Sequence, residues 1–380
     1  MKIALLTDGI FPYVIGGMQK HSYQLAKQLA QQNHTVYLFH CNESQYDIAK
    51  LEFFTEEEKK NIRSFVIPFP HKNYFPLHYI YESKQYSRAI YKALLPFISE
   101  IDFIIAKGFS AWSLLENKQT DFPPIAVHFH GLEMFQYIPT LKSRISAIFL
   151  RNAVKKNLDR TDYAISYGGK ITYLLAGLVP KKKIWEVPSS IEPSWLTETV
   201  IPVGDKLRFV FVGRFERRKG VQELNIAIKQ LLPNGNFTFD FIGDIPEEHK
   251  IASPLLRYHG KLSSEKAVQE ILSAADVLIS PSFAEGMPVT IMEAMAQGLA
   301  IIATDVGSVS TLVNETNGWL IPSPEPKYIE EAMHKAIQSK DSLVAKKESS
   351  VKKIKENFLS ETVTNKLIGL MQSALKINSF

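Results

Sequence analysis

The sequence predicts an α/β protein built from two doubly wound domains. Three observations predict it. Short apolar runs alternate with amphipathic stretches along the chain, the pattern of parallel strands joined by crossover helices. Between 188 and 206, Pro188, Ser189, Ser190, Pro193, Pro202 and Gly204 crowd together as a linker would, and a second α/β series then begins. The 380 residues suffice for two ordinary domains, and their 45% hydrophobic and 22% charged content is that of a soluble globular protein.

In the first half, Ile3–Thr7, Val36–His40, Phe65–Pro68, Phe103–Ala106, Ile125–Phe129 and Tyr163–Ser166 read as strands. Near-continuous apolar runs of this length fit strands covered on both faces. The clearest helix is Met18–Gln31, with Tyr23, Leu25, Ala26, Leu29 and Ala30 along one side. In the second half the strands are Arg208–Val212, Phe237–Ile242, Leu256–His259, Val277–Ser280, Leu299–Ala303 and Gly318–Ile321, and helices follow Glu325. Open parallel sheets take ligands at the carboxyl ends of their strands, so a cleft between two such domains is the expected seat of function.

Bulk properties limit the function classes. The net charge of +5 permits an anionic surface or ligand without implying nucleic acid. A single cysteine, Cys41, excludes a disulfide framework and makes a reducing cytosol the default. The opening MKIALLTDGIF resembles a secretion signal only until Asp8, and reads better as a first strand. No segment approaches the apolar length of a membrane span, and there is no internal repeat. Metal-type Cys/His spacing, a DxD pair, G-x-G-x-x-G and a Walker loop are all missing, which weakens the metal, NAD and ATPase readings.

The most informative stretch is PSFAEGMPVTIMEAMAQGLAIIATDVG, 281–307. Glu285 sits in a Gly/Pro-marked loop, and Glu293 follows inside a short helix that Pro288 can start and Gly298 can end. A carboxylate loop opening into a helix N-terminus at a strand end suits a ligand carrying hydroxyls and a phosphate. Two carboxylates also occur in glycoside hydrolysis, but there they flank the scissile bond from opposite sides. Here both come from one loop-and-helix unit, which favours binding of hydroxyls. Glu293 has apolar neighbours, so it is expected to be buried and to need a partner.

Four further constellations stand out. Gly16-Gly17 precedes the Met18–Gln31 helix, where glycine lets a ligand approach the backbone; an ordinary strand-to-helix turn is about equally expected. In VGRFERRKG, Val212 to Gly220, Arg214 and Lys219 flank a loop entering a helix and suit a diphosphate, whereas Arg217 and Arg218 are read as solvated. In His128-Phe129-His130-Gly131, alternation puts both histidines on one face; position at the strand end marks His130 for the site, and His128 is read as a core histidine. Leu141–Arg160 is helical by period, with Ile145, Ile148, Phe149, Val154 and Leu158 among Lys142, Arg144, Arg151, Lys155, Lys156 and Arg160. Such a helix could lie on an anionic membrane, but a packing helix with a solvated basic face is the somewhat stronger expectation.

Together these residues resemble family 4 glycosyltransferases, retaining enzymes of the GT-B fold in which two Rossmann-like domains face each other across a cleft. The resemblance covers nearly the whole chain. Glu285-x7-Glu293 matches the E-x7-E motif, Val212-Gly213-Arg214 with Lys219-Gly220 the diphosphate loop, Gly16-Gly17 the N-terminal loop and His130-Gly131 the HG or HD of the cleft. The resemblance implies an acceptor-binding domain at 1–190 completed by about 361–380, and a donor-binding domain at 191–360. It implies that Arg214 and Lys219 hold the donor diphosphate and stabilise the leaving group, that Glu285 contacts the transferred sugar, and that Glu293 binds the ribose. Gly286, Met287, Pro288, Val289 and Thr290 would line the sugar and phosphate. Gly16 and Gly17 would admit the phosphate, His130 would stand near the anomeric carbon, and Leu262, in the Gly260-Lys261-Leu262 loop, would lie by the base.

The implied activity is metal-independent transfer, without cofactor, of a hexose-type sugar from a nucleoside diphosphate to a saccharide or lipid-linked saccharide. The implied setting is cell-surface polysaccharide or glycan synthesis, in the cytoplasm or at the inner face of the membrane. The acceptor would meet aromatic stretches at Tyr74–Tyr81, Phe109–Trp112 and Glu133–Tyr137. Pro188-Ser189-Ser190-Ile191-Glu192 departs from the usual PNGVD linker. Two alternatives stay open: a nucleotide-sugar 2-epimerase, which needs extra acid/base carboxylates, and an inactive partner subunit, which degenerate donor motifs would favour.

Overall fold

The computed structural model describes residues 1–14, 16–42, 51–70, 78–138, 141–262 and 264–377. The chain divides into two units: Met1–Phe135, Lys142–Ser189 and Ser360–Phe380 form unit 1, and Gln136–Leu141 with Ser190–Leu359 form unit 2.

Unit 1 runs β1 (Lys2–Leu6), α1 (Gly17–Gln31), β2 (Thr35–His40), α2 (Glu56–Lys60), β3 (Ile62–Val66), α3 (His78–Leu94), β4 (Phe103–Lys107), α4 (Trp112–Glu116), β5 (Ile125–His128), α5 (Leu141–Arg160), β6 (Tyr163–Ser166), α6 (Gly169–Ala176) and β7 (Ile184–Glu186). Its strands are parallel in the order β3-β2-β1-β4-β5-β6-β7. Alternation along β1 explains the layering: Ile3 and Leu5 pack with Leu25 and Leu29 of α1, while Ala4 and Leu6 pack with Tyr86 and Ile90 of α3.

Unit 2 runs β8 (Leu207–Val212), α7 (Val221–Leu231), β9 (Phe237–Ile242), β10 (Leu256–Tyr258), α8 (Glu265–Ala274), β11 (Val277–Ser280), α9 (Val289–Ala296), β12 (Ala300–Thr304), α10 (Val309–Leu312), β13 (Gly318–Ile321), α11 (Pro326–Gln338) and α12 (Lys340–Asn357). These strands are parallel in the order β10-β9-β8-β11-β12-β13. After unit 2 the chain returns to unit 1 as α13 (Ser360–Ile377), whose Val363, Leu367, Ile368 and Met371 join the core on the α1 side of the sheet.

Both sheets reverse direction of growth once, between β1 and β4 and between β8 and β11. The crevice beyond the strands at such a reversal is the usual ligand position. In unit 1 it is bordered by the Gly16-Gly17 turn and the ends of β4 and β5; in unit 2, by the loops after β8 and β11.

Three expectations are corrected. The third strand lies at Ile62–Val66 rather than Phe65–Pro68: Ile62 to Val66 pair with Val36 to His40, and Pro68 has no N–H to give a ladder. β7 was not foreseen, because a strand of 3 residues leaves no apolar run to read. In α5 only Val154 and Leu158 of the expected apolar stripe are buried; Ile145, Ile148 and Phe149 are 54%, 55% and 48% exposed.

A buried ion pair ties α12 to the sheet of unit 2. Lys347 Nζ donates to Asp276 Oδ1 at 2.9 Å and to the Ile201 carbonyl at 2.8 Å, while Asp276 Oδ2 accepts from the Arg208 backbone N–H at 2.9 Å. Neither side chain has meaningful exposure.

Candidate functional site

In unit 2, β8 delivers Val212-Gly213-Arg214 to the strand end, and the chain turns through Arg217–Lys219 into α7. Gly220 makes the turn with φ 70°, and a Cβ there would stand 2.0 Å from the Pro281 carbonyl oxygen. Only glycine fits both conditions, and the close approach brings the 212–220 loop onto the loop after β11. Gly307 does the same on the far side, where a Cβ would meet the Glu285 carbonyl oxygen at 2.1 Å.

Glu285 is the meeting point. Lys219 Nζ donates to its Oε1 at 2.6 Å, Ser282 Oγ donates to the same oxygen at 2.7 Å, and Arg218 Nη1 reaches Oε2 at 3.5 Å. Burial alone would raise this carboxyl, but the charge of Lys219, then that of Arg218, outweighs it and holds the group below the usual range. Glu285 is therefore a buried anion held by cations. Its backbone is gripped by Gln136, whose amide donates to the Glu285 carbonyl at 2.6 Å and accepts from its N–H at 3.3 Å. Tyr137 stacks on Phe283 with ring centroids 5.4 Å apart.

Glu216 pairs with two arginines, accepting a hydrogen bond from Arg218 Nε at 2.9 Å and forming an ion pair with Arg214, whose Nε is 3.0 Å away. Arg214 is 78% exposed and is not drawn to Glu285. Arg218, expected to be solvated, instead bridges the two glutamates, while Arg217 forms a fork with Glu223 at 2.7 and 3.0 Å. The period of the sequence could not separate these neighbouring arginines, because the turn decides where each points.

Gly286, Met287 and Pro288 lead into α9, with Gly286 accepting from the Ser308 N–H at 2.8 Å. No side chain caps this helix, so the N–H groups around Val289 and Thr290 are left for another acceptor. Glu293 lies buried inside α9. Leu262 is half-buried in the loop after β10.

In unit 1, Gly16 precedes α1, and a Cβ at Gly17 would meet nothing within 4 Å. His130 has φ 55°, a left-handed conformation costly for a residue with a side chain. Its Nδ1 shares a 2.6 Å hydrogen bond with the Tyr167 hydroxyl, and its ring stacks on that of His128, centroids 4.1 Å apart. Lys107, closing β4, places Nζ 3.2 Å from His128 Nδ1. His21 of α1 stands edge-on to both rings, at 5.7 Å from His128 and 5.6 Å from His130.

Burial lowers all four bases: Lys107 to about 7, and the three histidines below their ordinary value, with the Lys107 charge adding to the effect on each. Two imidazoles stack and the third stands edge-on to them, and among the described residues no group of three or more His, Cys, Asp or Glu side chains is arranged to hold a metal. Lys107, His21 and Tyr167 were missed in the sequence. The only signals were a lysine ending an apolar run and a histidine four residues before Leu25 on the inward face of α1. Of the aromatic stretches, Phe109 packs on Trp112 and Phe129; Tyr74 lies outside the described residues.

Comparison with known proteins places these features in a family. The profile "Glycosyltransferase Family 4" matches residues 15–195 and "Glycosyl transferases group 1" matches 206–339. The teichuronic acid biosynthesis glycosyltransferase TuaC of Bacillus subtilis is 34% identical over 35% of this chain, and the colanic acid biosynthesis glycosyltransferase WcaL of Escherichia coli 25% over 44%. The chain spans 33% and 45% of the length of those two relatives. Among solved structures, sucrose-phosphate synthase of Thermosynechococcus elongatus superposes with a TM-score of 0.78 at 17% identity, covering 99% of both chains. HepE of Anabaena in complex with UDP and glucose superposes with a TM-score of 0.71 at 16% identity, covering 98% of this chain and 100% of that one. With family profiles on both halves and a shared two-sheet architecture, the chain belongs to the family 4, group 1 glycosyltransferases of the GT-B fold.

Proposed function

We propose that the chain is a retaining, metal-independent glycosyltransferase that moves a hexose-type sugar from a nucleoside diphosphate to a saccharide or lipid-linked saccharide. The observation that carries this reading is the charge arrangement around Glu285: a buried carboxylate held by Lys219 and Arg218, beside an uncapped helix start. Breaking an anomeric C–O bond leaves negative charge on the diphosphate. Lys219 and the α9 N–H groups are positive partners for it as the charge develops, and Arg214, on the same loop and ion-paired with Glu216, adds its charge. The donor diphosphate takes over Lys219, and Glu285 turns to the hydroxyls of the transferred sugar, with Glu293 on the ribose. The leaving phosphate accepts the acceptor's proton, so no enzyme nucleophile is needed. HepE, crystallised with UDP and glucose, makes UDP-glucose the first donor to try, and TuaC and WcaL point to cell-surface polysaccharide as the setting.

The test is donor turnover and calorimetric binding across nucleoside diphosphate sugars, with and without EDTA. The expected result is turnover that EDTA leaves intact, with thermal stabilisation of about 2.7 kcal/mol at a hundredfold excess of donor over Kd. Strict metal dependence, or no binding of any such donor, overturns the reading.

We also propose that α5 rests on an anionic membrane surface. Ile145, Ile148 and Phe149 are exposed beside exposed Arg144, Lys155 and Lys156, a mixed apolar and basic face that suits lipid headgroups over acyl chains. No helix among the described residues is long and apolar enough to cross a membrane. The protein is expected to float with vesicles containing anionic lipid, and Lys155→Glu/Lys156→Glu to float less. Equal flotation of both proteins, or none, sinks the idea.

A further inference from the structure

The cluster of Lys107, His128, His130, His21 and Tyr167 has a physical cost that the fold does not require. Among the described residues burial alone sets Lys107, with no carboxylate acting on it: the groups around it are His128 from β5, His130 beyond it, His21 from α1 and Tyr167 after β6, while Glu133 acts on Tyr167 and Tyr79. An unpaired buried amine destabilises, and an apolar side chain of similar length would not. His21 Nδ1, His128 Nε2 and His130 Nε2 are also buried without a hydrogen-bond partner. Buried polar groups in this condition call for an explanation. A bound anion does not supply one, because these three nitrogens have no accessible surface and so leave no space for a ligand oxygen beside them.

The geometry has a different consequence. An ammonium group has donors and no acceptor, so at 3.2 Å a charged Lys107 obliges His128 Nδ1 to accept, which puts the ring proton on Nε2. A neutral amine has a lone pair and lets His128 donate from Nδ1 instead. His128 lies flat against His130, their planes only 22° apart. His130 in turn is held by Tyr167 and by its left-handed backbone. We propose that Lys107 is a positioning residue for His130, acting through His128: its charge selects the His128 tautomer and thereby the orientation in which the stacked His130 ring is held. This rests on the reading that His130 stands beside the transferring sugar, where its ring acts by position, since Nδ1 is taken by Tyr167 and Nε2 is buried. Lys107 titrates at about 7, so the selection falls in the neutral range. Below that value the amine is charged and His128 carries its proton on Nε2; above it the restraint is released.

The test follows the histidine ring nitrogens by long-range 15N–1H correlation between pH 6 and 9, in wild type, Lys107→Met and Lys107→Arg. In wild type the His128 tautomer is expected to change near neutrality. Lys107→Met removes that change, and Lys107→Arg, which cannot lose its proton, fixes the Nε2–H form throughout. In transfer assays Lys107→Met is expected to lower kcat roughly ten- to a hundredfold, the scale of a small misplacement, with donor Kd unchanged and the inflection near pH 7 lost. A His128 tautomer constant across the range in wild type, or a Lys107→Met pH–rate profile that superimposes on wild type, overturns the proposal. Should wild type transfer no sugar at all, the functional reading fails, and the nuclear resonance titration still decides the tautomer claim. Should a Lys107 variant fail to fold, the wild-type titration decides it.

Discussion

Lys219→Ala is expected to cut sugar transfer on the order of a hundred- to a thousandfold, the cost of losing one preorganised charge at a developing anion. Two effects add. The ammonium that would meet the leaving diphosphate is gone, and Glu285 loses its partner at 2.6 Å, keeping Ser282 at 2.7 Å and Arg218 at 3.5 Å. With Lys219 removed, burial gains weight in setting the Glu285 carboxyl, which rises towards protonation. The variant's residual activity should therefore decline on acidification at a higher pH than wild type. Steady-state kinetics together with donor calorimetry measure both effects. A variant whose kcat stays within about twofold of wild type removes Lys219 from the chemistry, since a whole charge interaction is worth far more.

Lys347→Ala is the substitution expected to destabilise most, by about 3–5 kcal/mol, because it takes from the buried Asp276 carboxylate its closest and only buried cation. The backbone N–H of Arg208 remains and its guanidinium Nε stands 3.6 Å from Oδ2, but that half-exposed group is too distant to replace the ammonium at 2.9 Å. Hydrogen exchange read by mass spectrometry should show β8 and β11 losing protection, with the strands of unit 1 unchanged. Lys347→Met combined with Asp276→Leu removes both charges and should restore most of the loss. If the single substitution costs less than about 1 kcal/mol, the pair is no more than a surface bridge in energy.

In unit 2 the central strand β11, covered on both faces, writes an unbroken apolar run, and β9 alternates Phe237, Phe239 and Phe241 with Thr238 and Asp240; Phe237–Ile242, Val277–Ser280 and Gly318–Ile321 have the bounds that the residues suggest. The short, half-exposed edges β3 and β7 write no such run, and one was misplaced and the other missed. The motif residues of 212–220 and 281–307 could be named from spacing, but their pairing could not. That Lys219 meets Glu285, that Arg218 joins it and that Arg214 stands in solvent all depend on Gly220 approaching Pro281, a backbone event with no local periodic signature. The Lys107 cluster was hidden for another reason. Its members come from α1, β4, β5 and the segment after β6, so only the fold assembles them. Helix α5 shows the limit of periodicity itself: apolar residues on two sides leave the pattern silent on which side is covered.

The return of the chain at α13 has a consequence for how the protein is made. The first 189 residues leave the ribosome well before Val363, Leu367, Ile368 and Met371, yet those four side chains belong to their core. Unit 2, apart from the short 136–141 segment, is continuous from Ser190 to Leu359 and is synthesised in between. During translation the nascent unit 1 therefore waits with the apolar side of α1 uncovered, while the later-born half can already close. The order of birth and the order of completion are opposite, and a stop codon near residue 360 would spare the younger half while leaving the elder unfinished.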